Sequence, residues 1–256
     1  MNDIGVIGLS VMGLNLALNM ADKGYKVSIY NRTSSVVDEV MRDHGHENFT
    51  PTYNLEDFVK SLERPRRVFL MIKSGKPIDM VIDQLIGLLD EGDIIIDGGN
   101  SYFKDTIRRS NYLEDKKINY LGVGISGGEE GARFGPAIMP SGNREAYENV
   151  RDIFENISAK AYGEACCKYI STAGSGHYVK MVHNGIEYGD MQLISEAYIL
   201  LRDLGGMDNS QIQEVFEAWN KTELESYLIE ITANILKVKE ADGSYLVDKI
   251  LDKSAQ

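Results

Sequence analysis

Residues 3–23, DIGVIGLSVMGLNLALNMADK, decide the fold. The apolar run from Asp3 to Ile7 predicts a short buried strand, and the spacing of apolar residues over 14–23 predicts a helix. Between them lies a glycine-containing turn, Gly8-Leu9-Ser10-Val11-Met12-Gly13. A strand, a glycine turn and a helix in this order are typical of a Rossmann-type dinucleotide-binding fold.

Each residue type in this turn has a physical use. Gly8 allows the tight bend and Gly13 allows close helix packing, while backbone N–H groups at the helix start can bind pyrophosphate. Ser10 stands where the second glycine is usual, which leaves less room but keeps the anion site. We therefore predict that the whole turn binds a dinucleotide, through Gly8, Leu9, Ser10, Val11, Met12 and Gly13.

The second predicted strand, residues 26–30, ends in Asn31-Arg32-Thr33. This is where the fold places an acidic residue on the ribose 2′-hydroxyl of NAD, and no acid stands here. The Arg32 guanidinium and the Thr33 hydroxyl suit a 2′-phosphate, so we predict NADP as the cofactor. The alternative is that Arg32 is only a solvated residue after a strand.

Further strands are predicted at residues 67–72, 93–97 and 118–123, with helices between them. Lys73 and Asn100 come just after two of these strands, at the rim where open α/β sheets bind ligands. We predict that both contact the cofactor and that Asn100 also contacts the substrate. Each could instead be an ordinary loop residue.

Residues 124–136 contain five glycines within thirteen residues. We predict a loop whose backbone amides approach a carboxylate or phosphate, with Ser126, Gly127 and Gly128 as substrate-binding residues. A long flexible connector is the alternative. A helix over 145–157 and a strand over 168–170 are expected to complete the first domain.

The alternation of strands and helices stops near Ser171. Helices are predicted at 176–204, 208–221, 224–238 and 246–252. The fold class is therefore an α/β Rossmann-type domain, residues 1–175, followed by the start of an all-α domain, residues 176–256.

The first of these helices has a polar row on one face. Its members are spaced at i, i+3, i+4, i+7 and i+8, and they are Lys180, His183, Asn184, Glu187 and Tyr188. The other sides are apolar, so we expect the helix to run through packed protein. Such a row could bind an anionic polyol and transfer protons, although it could also be a solvated stripe.

Composition excludes some classes of partner. A net charge of −12 argues against non-specific nucleic-acid binding, so an anionic ligand must be met by locally concentrated cations. Cys166 and Cys167 are adjacent and unsuited to a disulfide, which favours a reducing cytoplasm. With no apolar run of membrane-spanning length, no room for a signal peptide and no metal-ligand cluster, we expect a cytoplasmic protein without membrane or metal partners.

Five segments together resemble the decarboxylating 6-phosphogluconate dehydrogenase family. They are Gly8 to Gly13, Asn31 to Thr33, Asp97 to Asn100, Ser126 to Arg133 and Lys180 to Tyr188. The resemblance implies NADP-dependent oxidative decarboxylation of 6-phosphogluconate to ribulose 5-phosphate and CO2, a step of the pentose phosphate pathway. It also implies a homodimer.

The resemblance further assigns roles. Lys180 matches the base that takes the proton of the substrate's 3-hydroxyl, and Glu187 matches the acid that protonates carbon 1 of the enediol. His183 and Asn184 match substrate-binding positions, as do Asn100, Ser126, Gly127 and Gly128, and Tyr188 matches a phosphate contact.

One departure concerns the end of the chain. The family continues beyond Gln256 into further helical sequence that holds the sugar phosphate. We therefore expect a fragment that binds NADP but turns over 6-phosphogluconate slowly or not at all. Two alternatives stay open: another β-hydroxyacid dehydrogenase, such as one acting on 3-hydroxyisobutyrate, or a catalytically silent NADP-binding module.

Overall fold

The structure is a computed structural model that describes residues 1–251. The chain divides into two compact units, Met1–Val182 and His183–Gln256. The sequence placed the boundary after residue 175. In the structure the first two turns of the following helix belong with the first unit, because they pack on its sheet.

The first unit is built on a seven-stranded sheet with the order β3-β2-β1-β4-β5-β6-β7. The strands are β1 (Ile4–Ile7), β2 (Val27–Tyr30), β3 (Phe49–Thr52), β4 (Arg67–Leu70), β5 (Ile94–Asp97), β6 (Asn119–Ser126) and β7 (Ala137–Gly142). Strands β1 to β6 are parallel and β7 is antiparallel to β6. The order reverses between β1 and β4, which is where sheets of this kind bind dinucleotides. The predicted α/β Rossmann-type fold is confirmed.

Helices connect these strands and cover both faces of the sheet. They are α1 (Val11–Asp22), α2 (Ser34–His44), α3 (Leu55–Lys60), α4 (Lys76–Ile86), α5 (Phe103–Glu114), α6 (Gly128–Phe134), α7 (Arg144–Glu148) and α8 (Arg151–Ile157). Consecutive strand residues alternate between two apolar clusters: Val6 and Phe69 belong to one, Ile7 and Leu70 to the other. Because successive side chains of a strand point to opposite faces, the two clusters are the cores on the two sides of the sheet.

The predicted loop over residues 124–136 is wrong. Strand β6 continues to Ser126, helix α6 follows at once, and β7 begins at Ala137. Two of the glycines, Gly127 and Gly128, adopt positive φ angles of 133° and 59° and make the turn between strand and helix. Glu129 and Glu130 then occupy the first helical turn, where carboxylates are favourable. Because the segment is rich in glycine, its sequence indicated a loop and not this helix.

Two smaller predictions also need correction. Residues 168–170 do not form a strand, although Ile170 N donates to Pro140 O beside β7. The predicted helix over 145–157 is interrupted near Asn149 and forms α7 and α8. A two-residue hairpin pair, β8 (Lys160–Ala161) and β9 (Glu164–Ala165), follows them.

The part of the second unit that the structure describes, residues 183–251, is helical, as predicted, and begins within a helix that starts in the first unit. Helix α9 (Ser175–Ile199) leads into a π-helical turn (Leu200–Leu204), followed by α10 (Asn209–Trp219) and α11 (Tyr227–Lys237). Asp208 and Gln211 form a capping box that starts α10, and α10 packs on α11 through buried Phe216 and Ala233. The helix predicted over 246–252 is a 3-10 turn, Leu246–Lys249, and residue 252 lies outside the described residues.

The expectation that α9 runs through packed protein is wrong over most of its length. Only Gly176, His177 and Lys180 are buried. In the part of the chain that the structure describes, α10 and α11 reach α9 only near Ile194 and Tyr198. Most of its other apolar side chains are exposed, among them Met181, Val182, Ile186, Met191 and Leu193. No helix within residues 1–251 combines the length and apolarity that a membrane span requires.

Candidate functional site

The turn after β1 can take its shape because two of its residues, Gly8 and Gly13, have no side chain. Gly8 has a φ of 98°, and a Cβ there would lie 2.3 Å from Met71 O. A Cβ on Gly13 would lie 1.9 Å from Gly8 O. Helix α1 therefore begins directly over the turn, with Ser10 exposed at its N-cap. This geometry directs the first N–H groups of the helix at the crevice between β1 and β4, where an anion would be stabilised.

A cavity of about 390 Å³ opens beside this turn. Six predicted cofactor residues line it: Gly8, Ser10, Asn31, Arg32, Thr33 and Lys73. Leu9, Val11, Met12, Gly13 and Asn100 do not. The structure thus places Gly8 and Ser10 of the glycine turn at one cavity with Arg32 and Thr33, which follow β2, and with Lys73, which follows β4.

Sequence reasoning missed the apolar wall of this cavity. The wall includes Tyr30, Leu55, Met71 and Ile72, together with Pro77, Met80 and Val81 on α4, and the polar Gln84 lines the cavity from the same helix. The four α4 residues recur at i, i+3, i+4 and i+7, which is one helical face. That spacing was a usable signal, because α4 begins shortly after Lys73, which follows β4.

Asn31 lies where an NAD-binding domain of this fold usually has an acidic residue. Its side chain stabilises the glycine turn after β1. Its Oδ1 accepts from Leu9 N at 3.3 Å, and its Nδ2 donates to Thr33 O at 3.1 Å. Both the glycine turn and the segment after β2 are therefore fixed by one neutral amide. Arg32 and Thr33 remain exposed at the cavity.

The turn that carries Asn100 is anchored by a buried carboxylate. Asp97 is fully buried and accepts from Gly99 N at 3.1 Å, Ser101 Oγ at 2.7 Å and Tyr120 OH at 2.8 Å. Arg109, also buried, lies 3.6 Å from this carboxylate. Burial and the neighbouring Asp97 charge raise the pKa of Tyr120 well above its usual value, so its hydroxyl remains a donor. The sequence singled out Asn100 but not this network beneath it.

Helix α6, which follows Ser126-Gly127-Gly128, is anchored to α1. The buried Asn19 donates through Nδ2 to Ala132 O at 3.1 Å and to Ile157 O at 3.0 Å. The Ala132 carbonyl has no helical partner four residues on, because Pro136 has no N–H. Asn19 therefore supplies a bond that the helix cannot make itself, and it fixes the predicted substrate turn to the cofactor helix.

The start of α9 packs on β6 through three glycines, Gly122 and Gly124 in β6 and Gly176 in α9 itself. We call this contact the glycine platform. A Cβ on Gly124 would lie 2.7 Å from Lys180 Cβ, and a Cβ on Gly176 would lie 2.1 Å from Met139 O. These contacts leave no room for a side chain at Gly124 or Gly176. The helix therefore approaches the sheet closely and sets Lys180, whose residue is 8% exposed, against the last third of β6.

The remaining polar row continues along α9. His183 Nδ1 lies 3.2 Å from Asn184 Oδ1 and 3.6 Å from Glu187 Oε2, while Tyr188 is exposed. Lys180 and Glu187 are seven residues apart on one helix, roughly 10 Å along its axis. Within residues 1–251, no three His, Cys, Asp or Glu side chains are grouped as metal ligands would be.

Family models match nearly the whole chain. The NAD-binding domain of 6-phosphogluconate dehydrogenase matches residues 3–171, and the C-terminal domain of 6-phosphogluconate dehydrogenase matches residues 176–256. The chain is 56% identical over 256 residues to the decarboxylating 6-phosphogluconate dehydrogenase of Bacillus licheniformis, covering all of this chain and 55% of that protein. It therefore spans about half the length of the curated relatives it matches.

Relatives with either cofactor are similar to this chain. Bacillus subtilis has an NAD⁺-dependent and an NADP⁺-dependent decarboxylating 6-phosphogluconate dehydrogenase, and each is 55% identical to it, covering 100% and 99% of this chain and 55% and 54% of theirs. Among solved structures, Plasmodium falciparum 6-phosphogluconate dehydrogenase, described in apo form and in complex with NADP⁺ and with 6-phosphogluconate, is 46% identical. Its TM-score is 0.92, over 99% of this chain and 55% of that one. The chain belongs to the 6-phosphogluconate dehydrogenase family.

Proposed function

We propose that this chain binds NADP in the cavity beside β1 and supplies Lys180 and Glu187 to the oxidative decarboxylation of 6-phosphogluconate. The main observation in support of this proposal is the position of Lys180. It is a buried lysine at the start of α9, set against the strand whose end carries Ser126, Gly127 and Gly128. A buried amine beside a turn rich in backbone donors suits a hydroxy acid.

The residues of the cavity fit a dinucleotide phosphate. Gly8 lines the cavity without a side chain, since a Cβ there would lie 2.3 Å from Met71 O, and the apolar residues of α4 suit an adenine ring. Arg32 and Lys73 place two cations at the cavity of a chain with a net charge of −12. Because Asn31 is neutral and Arg32 is a planar donor, the local chemistry favours the 2′-phosphate of NADP over the 2′-hydroxyl of NAD.

The proton transfers follow from the two ionisable groups on α9. Lys180 accepts the proton of the substrate's 3-hydroxyl, and the chemistry that bound NADP would supply is that of a hydride acceptor for carbon 3. The resulting 3-keto acid loses CO2 because the electrons released flow into the ketone, and protonated Lys180 returns a proton to that oxygen. Glu187, two turns further along, protonates carbon 1 of the enediol to give ribulose 5-phosphate.

Three wider proposals rest on the family resemblance. The cofactor domain comprises residues 1–175, and the substrate-binding helical domain begins at residue 176. The full-length enzyme acts as a homodimer with 6-phosphogluconate as its substrate. It works in the cytoplasm.

The test is a reaction with the chain at stoichiometric concentration, NADP and 6-phosphogluconate, following NADPH absorbance and released CO2. Since the chain spans about half the length of its relatives, we expect slow formation of both products. Lys180→Met should reduce NADPH formation by about 100-fold or more while leaving the NADP affinity within about twofold. Lys60→Met, an exposed lysine at the end of α3, is the matched control and should change neither.

Two results would overturn the proposal. Turnover that survives Lys180→Met would show that another group is the base. NADPH formation without CO2 would instead indicate another β-hydroxyacid dehydrogenase.

A further inference from the structure

His177 is a buried imidazole with no part in the chemistry described above. It is 2% exposed, lies in the first turn of α9 and precedes Lys180 by three residues. Its Nδ1 lies 2.7 Å from the Oγ1 of Thr106, a fully buried residue of α5. A Cβ on Gly122 would lie 3.1 Å from the same Nδ1, so the ring rests against the backbone of β6.

The surroundings favour the neutral form of this ring. Burial is the main influence and lowers the pKa of His177, while the Asp97 carboxylate on β5 acts in the opposite direction and the Arg109 guanidinium on α5 adds to the lowering. The backbone carbonyls of Asp97 and Gly99 are the other polar groups that act on the ring. These carbonyls belong to the turn that carries Asn100.

The neighbours also determine which nitrogen carries the hydrogen. A neutral imidazole has one donor and one acceptor. Carbonyls only accept, so a ring nitrogen that faces them must donate. The Thr106 hydroxyl lies closer to His177 Nδ1, at 2.7 Å, than to Tyr102 O, at 3.4 Å, and can donate to the ring. This assigns the hydrogen to Nε2, which is enclosed and makes no hydrogen bond of normal geometry within residues 1–251.

We propose that His177 is a positioning residue that aligns the turn carrying Asn100 with the turn of α9 carrying Lys180. Its Nδ1 is fixed by Thr106, and its Nε2–H is reserved for the carbonyls of Asp97 and Gly99. A buried donor without a partner is costly, so the Asn100 turn is drawn towards it. The inference rests on the proposed function, in which Asn100 and Lys180 act on one substrate.

The first test is ¹⁵N NMR of the His177 ring in the unsubstituted chain, which requires no ligand. We expect a protonated Nε2 and an unprotonated Nδ1 at neutral pH, with protonation of Nδ1 only below the ordinary histidine value. A hydrogen on Nδ1 at neutral pH, or protonation near the ordinary histidine value of about 6.5, would overturn the proposal.

The second test compares two substitutions that each keep one half of the ring's function. His177→Gln retains an amide donor near the Nε2 position, and His177→Asn retains a polar group only near the Nδ1 position. With saturating NADP, His177→Asn should weaken 6-phosphogluconate binding about tenfold, which is the loss of one hydrogen bond. His177→Gln should stay within about threefold, and NADP affinity should be unchanged in both.

Equal losses in both variants, or no loss in either, would show that His177 only fills space. If the unsubstituted chain binds NADP but not 6-phosphogluconate, that result concerns the proposed function and not His177. The backbone amide resonances of Gly98 and Gly99 then decide the matter. They should shift in His177→Asn and stay near their original positions in His177→Gln, and shifts of equal size would contradict a positioning role.

Discussion

Two sets of glycines shape this molecule in different ways. Gly8 and Gly13 act within one strand-turn-helix unit, where Gly8 adopts a positive φ and Gly13 admits the helix start. Gly122, Gly124 and Gly176 have ordinary φ angles and act across the fold, where their missing side chains let α9 lie on β6. A glycine can thus supply backbone freedom or simply space. Only the first use is visible from neighbouring residues in the sequence.

The first prediction tests whether the glycine platform depends on the missing side chain of Gly176. Gly176→Ala adds a methyl group 2.1 Å from Met139 O and 2.8 Å from Gly122 O, both of them backbone atoms. We expect a loss of about 3 kcal/mol in the unfolding free energy of the first unit, measured by urea denaturation.

The same change further along α9 is the matched control. A Cβ on Gly189 would meet no heavy atom within 4 Å, so Gly189→Ala should stabilise the helix by about 0.5–1 kcal/mol. Similar effects of the two substitutions would show that close packing at Gly176 is not what holds the helix start.

Asn19 links α1, which follows the glycine turn, to α6, which follows β6, because its side chain donates to Ala132 O. Asn19→Leu keeps the size of the side chain and leaves the carbonyls of Ala132 and Ile157 without their donor. We expect a cost of about 2 kcal/mol in thermal or urea unfolding. Asn15→Leu on the same helix removes only an exposed bond to Val11 O and should cost less than about 0.5 kcal/mol. If both variants unfold alike, the link between α1 and α6 contributes nothing of its own.

His177 gives the platform a pH dependence, because burial lowers its pKa in the folded protein. The unfolded chain takes up a proton below about pH 6.5 and the folded chain resists it. The stabilising contribution is therefore fully present above that pH and is lost as the pH falls. His177→Gln should show a flatter urea midpoint between pH 7 and pH 5 than the unsubstituted chain. Parallel profiles would mean that His177 titrates alike in both states.

Sequence alone predicted the parts of the fold that depend on near neighbours. The strand, turn and helix around Gly8 and the exposed Arg32 follow from local spacing, and the sheet follows from alternating apolar runs. The helix α6 was hidden because Gly127 and Gly128 suggested a loop. Their positive φ angles belong to the turn that leads from β6 into this helix.

The rest depends on contacts between distant residues. Asn19 bonds carbonyls more than a hundred residues away, and His177 meets Thr106 across 71 positions. Neither partner can be inferred from spacing, because both follow from how α1, α5 and α9 pack on the sheet. The exposed apolar sides of α9 were also unpredictable, since a helical pattern indicates which faces could be buried but not what covers them.

The central claim is that the cavity beside β1 binds NADP through Arg32, and calorimetric titration with NADP and with NAD tests it most directly. We expect the chain to bind NADP more tightly than NAD. Arg32→Ala should lower NADP affinity by about tenfold or more and leave NAD within about twofold, because only NADP has the 2′-phosphate. Equal affinity for the two cofactors, or an equal loss of both in Arg32→Ala, would contradict the assignment.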